Sequence, residues 1–181
     1  ASGDELEGLH GSMTIAGISG ARDCGIDGMT AEIKSASTMS MNKFRDNGLI
    51  DNDPFGYLSQ LSSYVAAAKD DPIVTSKTHG VFVAVDKQFG HVEVDVYDLS
   101  LYVVGKVEEV EAKKAMVKQP DPPARAFEPV PDGKSGNMKL GTNCSYCEFK
   151  KVCFPELKTY IYSNGPRFLT QVVREPKVFE A

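Results

Sequence analysis

Apolar side chains recur at alternate positions from Met13 to Ile18, with Gly11 and Gly17 as breakers. Residues 4–19 are therefore expected to form a strand or hairpin. A hairpin is predicted over 20–35, turning at Asp27-Gly28, because a type I′ turn needs positive φ at both central positions. The period then lengthens. Residues 37–47 predict a helix with a Ser/Thr-rich start and Gly48 as its stop. A second helix is expected to start at 51–54, with Asp53 as N-cap and Pro54 in its first turn. It runs through Tyr57, Leu58, Leu61, Tyr64, Val65 and Ala68 at helical spacing. Two strands follow at 80–86 and 91–97, the first apolar on both faces and so central, the second alternating and nearer an edge. Residues 106–118 predict an exposed charged helix whose Glu-then-Lys order suits i,i+4 pairing and the helix dipole.

Residues 119–141 are Pro- and Gly-rich and read as a long irregular connection. Beyond them lie a cysteine group and two short apolar stretches, 159–162 and 168–173. This order predicts an α/β or α+β fold, a mixed central sheet flanked by helices. The expected domains are a core over 1–118, the connection over 119–141, and a cysteine-bearing tail over 142–181 packed on the core. At 181 residues, with 41% hydrophobic and 25% charged side chains, the chain has the make-up of a globular protein with a real core.

Charge changes the picture only locally. The net charge of −5 argues mildly against a nucleic-acid partner, but residues 134–181 alone carry +4. That basic segment reads either as a local phosphate-binding surface or as a solvated face. No apolar run approaches the roughly 18 residues of a membrane span. The acidic first residues lack the basic start and apolar core of a signal peptide. Four unevenly spaced cysteines then point to a reducing cytosol, where clustered thiols more often bind metal than form disulfides.

The hairpin over 20–35 carries the candidate chemistry. Counting outward from its turn pairs Ile26 with Met29, Gly25 with Thr30, Cys24 with Ala31 and Asp23 with Glu32. Glu32 and Lys34 then share a face, with Asp23 across from Glu32. Two carboxylates at Cβ separations of about 5 Å repel unless a cation lies between them. Mg²⁺ or Mn²⁺, hard ions that prefer oxygen ligands, would meet that need, with the Ile33 carbonyl as a further ligand. Such an ion polarises a phosphate and acidifies an attacking water, and Lys34 can stabilise the developing charge. Gln60 and Tyr64 lie one helical turn apart on one face. Asp27 also meets the eye, but Asp in a hairpin turn is favoured for turn chemistry alone, and the register selects Asp23. His79 and His91 flank strands and read as structural, and His10 as a surface histidine.

On these residues the chain resembles the PD-(D/E)xK nuclease superfamily, in particular its RecB-like, phage-type exonuclease branch. Gly20-Ala-Arg-Asp23 is similar to the family's G-x-x-D, Glu32-Ile33-Lys34 to its (D/E)-x-K, and Gln60 to Tyr64 to its Q-x-x-x-Y. The resemblance covers roughly residues 17–65, with the order of elements in keeping up to about residue 99. It implies a restriction-endonuclease-like fold, Asp23 and Glu32 as metal ligands, Lys34 as the catalytic lysine, and Gln60 and Tyr64 contacting DNA or steadying the site. The implied activity is Mg²⁺- or Mn²⁺-dependent hydrolysis of DNA, most simply as an exonuclease in recombination, repair or phage DNA processing. The implied setting is the cytoplasm of a bacterial or phage-infected cell. The branch also has an N-terminal helix whose Glu or His completes the metal site. Here the sequence enters almost directly at the strands, so that helix is expected to be missing or to lie outside this stretch.

Cys144-x-x-Cys147 and Cys153 resemble the C-terminal cysteine triplet of iron–sulfur members of the branch. Thiolates at such spacing can hold a [4Fe–4S] cluster or, alternatively, Zn²⁺. Cys24 is the candidate fourth ligand, although its neighbour Asp23 places it on the opposite sheet face, where a buried apolar side chain is the stronger reading. Lys139, Lys150, Lys151 and Arg167 are the candidate DNA contacts, and Arg174 reads either as a phosphate contact or as surface. The alternative function is a non-catalytic nucleic-acid-binding or assembly protein on the same fold, working through the cysteine module.

Overall fold

A computed structural model describes residues 11–181. His10 and the first part of the predicted 4–19 hairpin lie outside them. The chain divides into two compact units, residues 1–120 and 121–181. The fold is mixed α/β.

The first unit begins with an antiparallel hairpin, β1 (Ser12–Ile15) and β2 (Ile18–Ala21). Its main sheet has the order β3-β4-β5-β6, with β3 (Cys24–Ile26), β4 (Met29–Ala36), β5 (His79–Asp86) and β6 (Val92–Asp98). Only β4 and β5 run parallel; the other neighbours are antiparallel. A parallel pair needs a crossover, and residues 37–78 supply it. That crossover contains α1 (Thr38–Met41), a 3₁₀ turn (Asn42–Phe44) and α2 (Tyr57–Ala67). α3 (Ser100–Val103) and α4 (Lys106–Met116) complete the unit.

α2 is buried on two flanks. Leu58, Leu61 and Val65 join Phe82, Ala84, Tyr97 and Leu99 in the main core. Tyr64 and Ala67 pack beside Ala68 against Met13 and Val74. The helix thus lies between the first hairpin and the main sheet, and its Gln60 and Tyr64 are held by burial on either side.

The Asp27-Gly28 turn has φ of 49° and 72°, the left-handed pair of a type I′ turn. A Cβ on Gly28 would also stand 2.0 Å from Thr75 Oγ1. Gly28→Ala is therefore expected to lower stability by about 1–2 kcal/mol for the left-handed backbone alone, with the Thr75 clash added. A urea midpoint that did not move would contradict this.

Two helices differ from their predicted extents. The helix expected over 37–47 starts on its Ser37 cap but leaves α geometry after Met41. Asp46 and Asn47 take φ of 51° and 58°, which an α-helix does not tolerate, and the Asn47 N–H donates to Asp95 Oδ2 at 2.8 Å. The second helix starts at Tyr57, behind a left-handed Gly56, and not at Pro54. Asp53 still caps it from a distance, accepting from the Tyr57 N–H at 2.9 Å and the Leu58 N–H at 2.8 Å. The predicted charged helix matches α4, except that Lys106 is buried and paired with Glu109 at 2.7 Å.

The second unit is built on a four-stranded antiparallel sheet of order β7-β8-β10-β9. Its strands are β7 (Val130–Pro131), β8 (Met138–Lys139), β9 (Lys158–Tyr162) and β10 (Gly165–Gln171). The stretch 119–141 is thus not wholly irregular, since β7 and β8 fall inside it. Two-residue strands carry no period that a sequence could display. Between β8 and β9 come two single-turn helices, α5 (Thr142–Ser145) and α6 (Lys150–Cys153). Leu140, Phe154, Tyr160 and Leu169 are buried. Buried Asn137 ties the strand ends together, its Oδ1 accepting from the Val173 and Arg174 N–H groups at 2.7 and 2.8 Å.

Candidate active site

The predicted register holds for three pairs, Ile26–Met29, Gly25–Thr30 and Cys24–Ala31, and stops one short of Asp23–Glu32. In an antiparallel ladder the residues whose N–H and C=O face one neighbour alternate along the strand. Met29, Ala31 and Ile33 face the β3 side, while Glu32 and Lys34 face β5. Where β3 ends, the Asp23 carboxylate takes over the ladder, its Oδ2 accepting from the Ile33 N–H at 2.7 Å. The Ile33 carbonyl points to that same edge, beyond the last paired residue of β3. Asp23, Glu32 and this carbonyl therefore collect around the end of one short strand.

Glu32 is 2% exposed, beside Phe82 on β5. Burial pushes its carboxyl above the ordinary range, and the Asp23 charge adds to the push, while Lys34 partly offsets both. Lys34 is the hub. Its Nζ donates to Glu32 Oε2 at 2.8 Å and to Gln60 Oε1 at 2.9 Å. The same ammonium stands 5.1 Å from the centre of the Tyr57 ring. Gln60 in turn donates from Nε2 to the Tyr64 hydroxyl at 3.4 Å. One strand, β4, and one helix, α2, thus converge on a connected run from Glu32 through Lys34 and Gln60 to Tyr64.

Gly20 gives that run its far end. A Cβ there would stand 2.9 Å from Tyr64 Cε1, so only glycine lets the ring lie against β2. Tyr57 is the participant that sequence reasoning missed. Its signal was present, one helical turn before Gln60 on the same face of α2.

Among the described residues, no group of three or more His, Cys, Asp or Glu side chains stands ready to hold a metal ion. Two carboxylates and a carbonyl nevertheless suit Mg²⁺ or Mn²⁺. Mg²⁺ keeps several waters and is commonly held by one or two carboxylates together with substrate phosphates.

The cysteines fall in different units. Cys24, on β3, has its thiol pushed up by burial and by the Asp23 and Glu32 charges. Cys144, Cys147 and Cys153 lie in and around α5 and α6 of the second unit. Cys144 is pushed up first by burial and then by the other two thiols. Among the described residues, the three sulfurs are not gathered as a ligand set.

The candidate DNA contacts divide in the same way. Arg167 donates to Asp132 Oδ1 at 2.9 Å and lies 4.2 Å over the Tyr162 ring. Lys139 reaches the same Asp132 oxygen at 3.4 Å. Lys150 is occupied internally, donating to the Ser145 and Cys147 carbonyls at 3.1 and 2.9 Å. Lys151 is exposed. Among the described residues, no helix is long and apolar enough to cross a membrane. Compared with known proteins, the chain matches no protein-family model and no curated protein.

Proposed function

We propose that the protein is a divalent-metal-dependent DNA nuclease of exonuclease type, built on a restriction-endonuclease-like core. One observation carries the proposal: a lysine ammonium held between a buried, proton-favouring carboxylate and a helix-borne glutamine, with a second carboxylate at the adjoining strand end. A buried carboxylate perturbed by desolvation, with a specific charge partner beside it, marks a candidate functional site. The antiparallel β3–β4 pair, the helical crossover and the parallel β5 are in keeping with the core that the sequence motifs imply.

In this role Asp23, Glu32 and the Ile33 carbonyl would hold Mg²⁺ or Mn²⁺, which supplies Lewis acidity and an acidified water. Lys34 contributes the residue-borne part. Its ammonium, fixed by Glu32 and Gln60, would stabilise negative charge developing on a phosphate oxygen. Tyr64 and Tyr57 brace Gln60 and Lys34 against rotation.

End-labelled linear DNA and covalently closed circular DNA, incubated in Mg²⁺ or Mn²⁺, test the proposal. Linear DNA should be degraded from its ends, circular DNA should survive, and EDTA should stop the reaction. Absence of cleavage with either ion, or cleavage that persists in EDTA, would overturn it.

For Cys144, Cys147 and Cys153 we propose a [4Fe–4S] cluster or Zn²⁺, on their spacing. Among the described residues these sulfurs are not gathered as a ligand set, and no step of the reaction is assigned to such a group. Anaerobically purified protein should carry stoichiometric iron with visible absorption, or stoichiometric zinc without it. Protein free of both would contradict this.

A further inference from the structure

The two units differ in charge: residues 1–120 carry eleven basic against eighteen acidic side chains, and residues 121–181 nine against seven. The second unit also contains two cavities that share a single arginine, Arg167. One, of about 570 Å³, is lined by Lys139, Tyr146, Asn164, Arg167 and Phe168 among others. The other, of about 420 Å³, is lined by Lys134, Arg167, Arg174 and Lys177 among others.

The first cavity has the mixture that one unstacked nucleotide requires, and its volume falls in the range of small-molecule sites. Tyr146 supplies aromatic surface, being 77% exposed although it lines the cavity, and Phe168, with the Lys150 ammonium 4.7 Å over its ring, adds a second aromatic wall. Asn164 supplies an amide for a base edge, and Lys139 and Arg167 supply charge for a phosphate. Both cations are already ordered on Asp132, and Arg167 is stacked on Tyr162, so little side-chain entropy remains to be lost. The second cavity carries four cations, Lys134, Arg167, Arg174 and Lys177, against two carboxylates, Asp132 and Glu175, and so continues a net positive lining past Arg167. A basic track interleaved with aromatic faces is how proteins hold single strands. Duplex DNA fits it poorly, because its bases are stacked inside and its backbone is convex.

We propose that the second unit binds single-stranded DNA, one nucleotide seated in the cavity at Tyr146 and Phe168 and the backbone passing Arg167 toward Arg174 and Lys177. The proposal rests on the reading of the protein as a DNA nuclease and names the form of DNA it holds. The chemistry of a single strand is shared by RNA, so the test carries both.

The test is fluorescence anisotropy of the full chain in EDTA, with labelled oligo-dT, oligo-rU and a short DNA duplex. Oligo-dT should bind at least about tenfold more tightly than the duplex. Tyr146→Ala should weaken oligo-dT binding about tenfold, and Arg174→Ala should reduce the slope of log affinity against log salt by about 0.7. Both side chains are exposed, so the variants should keep the wild-type circular dichroism melt. Equal or tighter duplex binding, tighter binding of oligo-rU than of oligo-dT, or oligo-dT binding indifferent to both substitutions would overturn the proposal. Cleavage in Mn²⁺ is read separately. Tight oligo-dT binding without cleavage would support the track while removing the nuclease reading.

Discussion

Lys34→Ala should reduce Mg²⁺- or Mn²⁺-dependent cleavage of linear DNA by about 10²–10³-fold, the usual cost of removing one preorganised charge from a reacting centre. The Lys34 side chain is 18% exposed, and alanine would remove both of its hydrogen bonds, to Glu32 and Gln60, together with its charge. Lys34→Arg separates this role from a general need for positive charge. A guanidinium can still pair with Glu32 and keep the fold, but its planar fork does not reproduce the position of an ammonium. Activity should remain at least about tenfold down while the melting curve stays near wild type. Wild-type rates in either variant would remove Lys34 from the chemistry.

Glu32→Gln should have opposite effects on activity and stability. Burial raises the Glu32 pKa in the folded state above its unfolded value, with Asp23 adding to the effect. Below the unfolded pKa both states are protonated and the side chain costs nothing. As pH rises between the two values the unfolded chain sheds its proton first, so folding stability falls, and above the folded pKa the cost is complete. Glutamine never ionises and can still accept from Lys34. In EDTA at neutral pH the variant should therefore melt above wild type, by about 2–4 °C for each kcal/mol relieved, and the advantage should vanish in acid below the ordinary carboxylate range. Mn²⁺ should reverse the order at neutral pH, since an ion that binds only the folded wild type stabilises it alone. Cleavage by the variant should be lost. A variant that melts below wild type in EDTA at neutral pH would contradict the burial argument.

Most of the candidate site was legible because its signals are local. A type I′ turn at Asp27-Gly28 sets the register of β3 on β4, and alternation then puts Glu32 and Lys34 on the α2 side. Helical spacing placed Gln60 and Tyr64 on one face. What could not be read was tertiary. Nothing in the sequence says that β3 ends at Cys24, or that Asp23 caps the ladder with its side chain. The left-handed pair Asp46–Asn47 ends a helix whose pattern continues, because Asp95 supplies a partner from a distant strand. Asp132 likewise gave no local sign that it would gather Lys139 and Arg167.

Electron paramagnetic resonance of free Mn²⁺, titrated with the full chain at neutral pH, tests the metal site most directly. The free-ion signal should fall saturably with wild-type protein and hardly at all with a chain carrying both Asp23→Ala and Glu32→Gln. Equal Mn²⁺ uptake by the two chains would contradict a metal site at Asp23 and Glu32, and with it the proposed nuclease.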